Sequence, residues 1–182
     1  MAHEIIIGVS GGIAVYKTAA LVSDLVQSGV GVSVVMTRAA TKFVGPATFR
    51  ALTGRRVLTR VFDSEAFPLG PHIELARQAQ LLCVAPASAN FMAQAAHGLA
   101  NDLLSTLLLS FTGPVVVAPA MNTEMWSKSA VQRNVEQLRA DGVHIVDPTE
   151  GWLSCRQQGV GRMAEPLEIA QVVRTLLKQN DE

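Results

Sequence analysis

The stretch EIIIGVSGGIAVYK, Glu4–Lys17, decides the fold that this sequence predicts. Its first half is a short, unbroken apolar run rich in β-branched residues, which is typical of a strand covered on both faces. Its second half is a turn of glycine and other small residues that leads into a segment with helical spacing. The apolar stripe of that helix is formed by Ala19, Leu21, Val22, Leu25 and Val26. This stretch therefore reads as the first half of a βαβ unit.

The same alternation continues to the end of the chain. Helical patterns at 102–109, 130–140 and 167–178 alternate with short apolar runs. The further runs are Val30–Met36, Leu81–Pro86, Pro114–Pro119 and Val143–Pro148. Alternating strands and helices predict an α/β fold, a three-layer doubly wound (Rossmann-like or flavodoxin-like) parallel sheet, in a single domain spanning residues 1–182. The least regular stretches are Phe62–Pro71 and Asp147–Pro166, and long connections of this kind are often functional.

Composition excludes several classes of protein. The chain of 182 residues is 49% apolar and only 16% charged, whereas a disordered chain is rich in charge and poor in apolar residues. Because 15 basic residues balance 15 acidic ones, we expect no nucleic-acid partner. No apolar stretch reaches the length of a spanning helix, and the N-terminus lacks a basic leader, so we expect no membrane partner and a cytoplasmic location. A near-neutral, apolar-rich chain is also prone to self-association.

Two cysteines and one histidine are relevant to possible chemistry. Cys83 lies in an apolar run and is predicted to be a core residue, while Cys155 lies in a polar, glycine-bearing stretch and is a chemical candidate. His72 follows a long loop and begins a short helical pattern, which makes it the functional candidate among the histidines. No His or Cys pair has the spacing of zinc ligands, so we predict no metal site.

Four segments leave predicted strands with residues that suit ligand binding. They are Gly8–Lys17, Ala85–Asn90, Pro119–Trp126 and Gly151–Pro166. In open parallel sheets ligands bind beyond the carboxyl ends of the strands. The glycines at 8, 11 and 12 match neither the dinucleotide fingerprint nor the P-loop, and this argues against NAD. Each segment also has a plain structural interpretation as a capped turn, a hydrophobic loop under the sheet or a surface loop.

Three motifs in these regions carry a family resemblance. They are PHIEL at Pro71–Leu75, PASAN at Pro86–Asn90 and PAMNTEMW at Pro119–Trp126. With them the chain, from about Ile5 to Leu177, resembles the homo-oligomeric flavin-containing cysteine decarboxylases. The resemblance implies FMN as cofactor, a homotrimer or a multiple of trimers, and a small-molecule substrate. It implies FMN-dependent decarboxylation of 4′-phosphopantothenoylcysteine to 4′-phosphopantetheine in coenzyme A biosynthesis.

The resemblance also implies roles for individual residues. The family's catalytic histidine, asparagine and cysteine fall on His72, Asn122 and Cys155, and Asn122 and Arg77 are the implied substrate contacts. The implied FMN contacts are Gly12, Ile13, Ala14, Thr37, Arg38, Ala39, Ala40, Phe43, Ser88, Ala89, Asn90, Phe91 and Met121.

One departure from the family pattern concerns the thiol, because relatives commonly have glycine directly after it. Here the run is Ser154-Cys155-Arg156, which puts the position of Cys155 in question. Two other functions stay open. The first is oxidative decarboxylation of a peptide's C-terminal cysteine, which does not need the late cysteine. The second is a non-catalytic, flavin-binding interaction protein.

Overall fold

Five parallel strands form the central sheet of the computed structural model, which describes residues 3–62 and 67–179. The strands are β1 (Glu4–Val9), β2 (Gly31–Met36), β3 (Leu81–Ala87), β4 (Val115–Pro119) and β5 (His144–Ile145). Their order across the sheet is β2-β1-β3-β4-β5, and every neighbouring pair is parallel. The chain winds in one direction from β1 to β2 and in the other from β3 to β5. The crevice between β1 and β3 is therefore the point where a doubly wound sheet binds ligands.

Eight α-helices accompany the sheet in the described part of the chain. They are α1 (Val15–Gln27), α2 (Pro46–Thr53), α3 (Pro71–Gln78), α4 (Ala89–Ala96), α5 (Leu103–Ser110), α6 (Thr123–Trp126), α7 (Ser129–Ala140) and α8 (Pro166–Gln179). None of the helices among the described residues has the length and apolar character needed to cross a bilayer.

Two hydrophobic clusters lie on opposite faces of the sheet. Ile5 and Ile7 of β1 belong to the cluster that α1, α2 and α8 cover, whereas Ile6 belongs to the cluster covered by α3, α4, α5 and α7. All three isoleucines are almost fully buried, as successive residues of a strand covered on both faces must be. The helix–sheet–helix layering confirms the predicted three-layer doubly wound fold.

The stretch predicted to be irregular at Asp147–Pro166 contains a β-hairpin instead. Its strands are β6 (Thr149–Trp152) and β7 (Gln158–Arg162), which pair antiparallel outside the main sheet. Glycines at 151, 159 and 161 weaken the strand signal of the sequence, which explains the wrong prediction. In the other irregular stretch, Phe62–Pro71, residues 63–66 lie outside the described residues.

Candidate functional site

A cavity of about 650 Å³ opens at the carboxyl edge of the central sheet, between the sheet and the hairpin. This volume is in the range of sites that enclose a drug-sized ligand or cofactor. Four segments supply its walls: the turns after β1, β3 and β4, and the hairpin with the residues that follow β7. The lining residues are Gly11, Gly12, Ile13, Ala14, Tyr16, Lys17, Ser88, Ala89, Ala120, Met121, Asn122, Met125, Trp152, Leu153, Ser154, Cys155, Gly161, Arg162 and Met163.

The turn after β1 offers an unpaired set of backbone donors to the cavity. A Cβ on Gly11 would lie 2.4 Å from the Cβ of Ala39, so glycine is needed there for close packing against the turn after β2. A Cβ on Gly12 would meet nothing within 4 Å. In the described structure the N–H groups of Gly11, Gly12, Ile13 and Ala14 donate to no protein acceptor. Such amides at the start of a helix suit a phosphate group.

Two serines hold the turn after β1 against the turn after β3. The Ser10 hydroxyl is buried, donates to the carbonyl of Pro86 at 2.8 Å and accepts from the backbone N–H of Ser88 at 2.7 Å. The hydroxyl of Ser88 in turn accepts from the N–H of Phe91 at 3.2 Å, which confirms Ser88 as the N-cap of α4. Two walls of the cavity are therefore fixed relative to each other by hydrogen bonds.

Asn122 lies at the start of α6 and lines the cavity. Its side-chain oxygen Oδ1 accepts from the backbone N–H of Met125 at 2.8 Å and so caps the helix. The Nδ2 amide group has no acceptor among the described residues. The cap therefore orients the side chain and leaves its two N–H donors for a ligand, for which a carboxylate is a suitable acceptor.

The hairpin packs directly against the turn after β4 and forms the adjoining wall of the cavity. The N–H of Met121 donates to the carbonyl of Gly161 at 3.0 Å. Gly161 has a φ of +142°, and a Cβ there would lie 2.3 Å from the carbonyl oxygen of Met121. Only glycine allows this close approach, because a side chain would have to push the two segments apart.

Cys155 is exposed in the loop that joins β6 to β7, and it lines the cavity. The loop is closed by hydrogen bonds from the N–H of Leu153 to the carbonyl of Gln157 at 2.8 Å and from the N–H of Arg156 to the carbonyl of Leu153 at 2.9 Å. Arg156 has a φ of +63°, a left-handed conformation that favours glycine. Arg156, at the position where the resemblance leads us to expect glycine, thus adopts a conformation that glycine favours, and the neighbouring Cys155 lines the cavity.

The two thiols differ in chemical state. Complete burial raises the pKa of the Cys83 thiol to about 12, since the thiolate would lose its hydration inside the sheet. Cys83 is therefore an inert core residue, as the sequence predicted, and the exposed Cys155 is the thiol available for chemistry.

The structure brings many of the predicted site residues together. Eight of them line the cavity: Gly12, Ile13, Ala14, Ser88, Ala89, Met121, Asn122 and Cys155. Seven others lie outside its lining but follow strands at the same edge of the sheet: Thr37, Arg38, Ala39, Ala40, Phe43, Asn90 and Phe91. The ring of Phe91 is buried in the hydrophobic cluster, so this residue can reach a ligand only through its backbone.

His72 and Arg77 both lie on α3, and neither of them lines this cavity. Arg77 is exposed in a shallow groove beside Gln80 and Pro114, which precede β3 and β4 at the opposite, amino edge of the sheet. The Nδ1 atom of His72 is buried without a hydrogen-bond partner in the described structure. Their implied roles stay predictions, and within one chain the geometry does not join them to the cavity.

Lys17, Trp152 and Arg162 also line the cavity. They lie within the segments Gly8–Lys17 and Gly151–Pro166, which the sequence predicted to suit ligand binding, but no individual role was predicted for them. A signal for Lys17 was present, because it is four residues before Leu21 and lies on the buried face of α1. No comparable signal marks the hairpin residues, whose strands were not predicted. Within residues 3–62 and 67–179, no three His, Cys, Asp or Glu side chains are grouped closely enough to hold a metal ion.

Comparison with known sequences gives a family match and several relatives. The model of a family described as Flavoprotein matches residues 1–178. The coenzyme A biosynthesis bifunctional protein CoaBC of Bacillus subtilis is 46% identical over 170 residues, which are 93% of this chain and 42% of that protein. CoaBC of Mycobacterium tuberculosis strain H37Rv is 44% identical over 178 residues, 98% of this chain and 42% of that protein. The chain thus spans less than half the length of these curated relatives.

Solved structures with the same fold cover the whole chain. The FMN-dependent cysteine decarboxylase SpaF is 35% identical with a TM-score of 0.86, and the alignment covers 99% of this chain and 98% of SpaF. A cysteine-to-serine mutant of PPC decarboxylase, complexed with pantothenoylaminoethenethiol, is 30% identical with a TM-score of 0.87, and the alignment covers 98% of this chain and 100% of that one.

Proposed function

The chain belongs to the flavoprotein family, among the flavin-containing cysteine decarboxylases, and we propose that it decarboxylates 4′-phosphopantothenoylcysteine to 4′-phosphopantetheine with bound FMN. The CoaBC relatives are named for coenzyme A biosynthesis, and the PPC decarboxylase relative for this decarboxylation. One observation of the structure carries the proposal. Asn122 and Cys155 line the same cavity as the glycine turn, so an amide without an acceptor, an exposed thiol and a turn of unpaired N–H groups surround one space.

The residues of the cavity fit FMN. The four unpaired N–H groups of the turn after β1 suit its phosphate, and the open space at Gly12 leaves room for the cofactor to approach the backbone. Apolar side chains such as Ile13 and Met121 suit a flat aromatic ring. When bound, FMN supplies a two-electron acceptor for the CH2–SH group of the substrate, and the resulting C=S group can accept the electron pair that CO2 leaves behind.

The chain's own residues bind the substrate and handle its protons. The Nδ2 group of Asn122 would donate to the substrate carboxylate and hold it at the angle from which CO2 departs. Loss of CO2 leaves an enethiol, and its conversion to phosphopantetheine requires both a hydride, returned from the reduced FMN to one carbon of the double bond, and a proton on the other carbon. The thiol of Cys155 would donate that proton, because it is the exposed acid on the hairpin beside the cavity.

We propose a homotrimer, or a multiple of it, in which His72 serves the cavity of a neighbouring subunit. The carbonyl of His72 accepts from the Ser110 hydroxyl at 3.4 Å, which places it at the end of α5, where Leu109 is 54% exposed. A neighbouring copy that covers this apolar surface would place the half-buried His72 beside the cavity of that copy. There the imidazole would take the proton of the substrate thiol.

The proposed substrate and product are phosphorylated, water-soluble metabolites. We therefore expect the reaction in the cytoplasm, with neither a membrane nor a nucleic acid as partner.

A direct assay tests this function. The purified, FMN-loaded protein is incubated with 4′-phosphopantothenoylcysteine, and the products are analysed by mass spectrometry. We expect the loss of CO2 and a saturated product. A product two mass units lighter, together with activity on peptides that end in cysteine, would favour the peptide decarboxylase. FMN binding with no turnover of either substrate would favour the non-catalytic alternative.

A further inference from the structure

Lys17 is the one charged side chain among the buried residues of the described structure, with only 6% of its surface exposed. Its ammonium group donates to the carbonyl oxygen of Met163 at 3.0 Å and to Oε1 of Glu165 at 2.9 Å. Burial of a lysine is unfavourable unless its charge is paired and hydrogen-bonded, and both conditions are met here. An apolar side chain on this face of α1 would avoid that cost, so the ammonium group has a specific use.

The hydrogen bonds of Lys17 connect two walls of the cavity. Lys17 lies in the first turn of α1, directly after the glycine turn, whereas Met163 and Glu165 lie between β7 and α8. Glu165 also accepts from Nη2 of Arg162, the last residue of β7, at 2.7 Å. The hydrogen bond from Lys17 is the main reason that the pKa of Glu165 lies below its ordinary value. The end of the hairpin is thereby attached to the wall that carries the phosphate-binding turn.

The hairpin depends on attachments of this kind. It has only two strands, which pair with each other and not with the central sheet. An isolated two-stranded hairpin is marginally stable in water. Strand β6 of the hairpin is preceded by Asp147. The ion pair of Asp147 with Arg139 is solvent-exposed and therefore weak. On the side of β7, the buried Lys17 bonds act together with the hydrogen bond from the N–H of Met121 to the carbonyl of Gly161.

We propose that Lys17 is a positioning residue: by binding Met163 and Glu165 it holds the hairpin so that Cys155 stays over the cavity. This inference rests on the proposed function for its catalytic consequence, but not for its structural one. Lys17 does not itself donate the proton; it fixes the element that carries the donor. Loss of its ammonium group should therefore loosen the hairpin and separate decarboxylation from saturation of the product.

The test is Lys17→Met, which keeps an unbranched apolar stem and removes the charge. The first measurement is limited trypsin digestion of the FMN-loaded protein, with cleavage after the exposed Arg156 followed by mass spectrometry. We expect about tenfold faster cleavage at this site, since cleavage tracks the population of the opened hairpin. The second measurement is the ratio of unsaturated to saturated product, which we expect to rise severalfold while CO2 release continues.

Arg174→Met is the matched control. Arg174 on α8 pairs with Asp24 on α1 at 2.5 Å, so this variant also removes a cation that links α1 to the C-terminal helix. Neither residue lines the cavity. We expect unchanged cleavage after Arg156 and an unchanged product ratio. If Arg174→Met changes both quantities as much as Lys17→Met does, the effect reflects general loosening of the helix pair and the proposal is wrong.

Glu165→Gln covers the case in which Lys17→Met does not fold or loses FMN. It keeps the Met163 bond and an oxygen acceptor but removes the charge, so we expect a smaller change in the same direction. Retained FMN with unchanged cleavage in Glu165→Gln would then assign Lys17 to the cofactor and overturn the proposal.

The proteolysis result does not depend on turnover. A natural protein without decarboxylase activity would therefore refute the proposed function, while faster cleavage of Lys17→Met would still support the attachment.

Discussion

The substitution Asn122→Asp separates two roles of this side chain: the cap of α6 and the proposed binding of the substrate carboxylate. Asp retains an oxygen at the position of Oδ1, so it still accepts from the N–H of Met125 and still caps α6. It loses the Nδ2 donor and adds a negative charge where the substrate carboxylate would bind. Loss of a hydrogen bond to a charged group, together with repulsion between like charges, costs about 2–4 kcal/mol, or ~30- to 1000-fold in kcat/KM. We expect that loss with FMN still bound and an unchanged urea midpoint.

The assay measures CO2 release from 4′-phosphopantothenoylcysteine together with urea unfolding of each variant. Asn122→Ala serves as the comparison, because it removes the donor and the cap at once. Loss of the cap should lower the free energy of unfolding by about 1 kcal/mol. A variant Asn122→Asp with natural kcat/KM would refute the assignment of the amide to the carboxylate. An equal loss of stability in both variants would show that the aspartate does not replace the cap.

Four further predictions address other parts of the site. Cys155→Ser should still release CO2 but yield a product two mass units lighter, because a hydroxyl is a far weaker acid than a thiol; mass spectrometry detects the difference. Since the hydride is not returned, FMN stays reduced, and without oxygen to reoxidise it we expect roughly one equivalent of this product per FMN. Iodoacetamide should alkylate Cys155 in the folded protein, and Cys83, whose pKa burial raises to about 12, only after unfolding. Gly12→Ala should leave the stability of the apoprotein unchanged and weaken FMN binding ~5- to 150-fold in a fluorescence titration, since overpacking costs about 1–3 kcal/mol. Because the pKa of Glu165 is lowered in the folded protein, its carboxylate stabilises the fold at pH values above 4.5, the ordinary pKa of the group. This stabilisation is lost as the pH falls through the lowered pKa. The urea midpoint should therefore fall more steeply in acid for the natural chain than for Lys17→Met.

The central sheet could be predicted because its signals are local. The run at Glu4–Val9 is apolar at every position except its first residue and Gly8, and only a strand covered on both faces needs such a run. The small residues after this run also carry a local signal. They predict a ligand-binding turn, because a ligand can approach the backbone closely only where large side chains are absent. The positions of Gly12, Ser88 and Asn122 then follow from the rule that the carboxyl ends of parallel strands share one edge.

The hairpin and its attachment could not be predicted in this way. Gly159 and Gly161 have low strand propensity, and their reason lies in another segment: a Cβ at Gly159 would lie 2.3 Å from Oγ1 of Thr123. The spacing of Lys17 places it on the buried face of α1, but the sequence does not show what its ammonium group binds, because Glu165 is 148 positions away. Contacts between distant segments decide both features, and a single sequence carries no record of such pairings.

The site is built from two kinds of structure, and the proposed chemistry divides along the same line. Asn122 is held by the cap of α6 shortly after a strand of the central sheet, so the proposed carboxylate site is fixed by that sheet. Cys155 lies on a hairpin whose placement depends on a few contacts, among them the bonds of Lys17. Changes on the sheet side should therefore abolish decarboxylation itself. Changes on the hairpin side should spare it and affect only the saturation of the product, so the ratio of the two products reports which half of the site a substitution has disturbed.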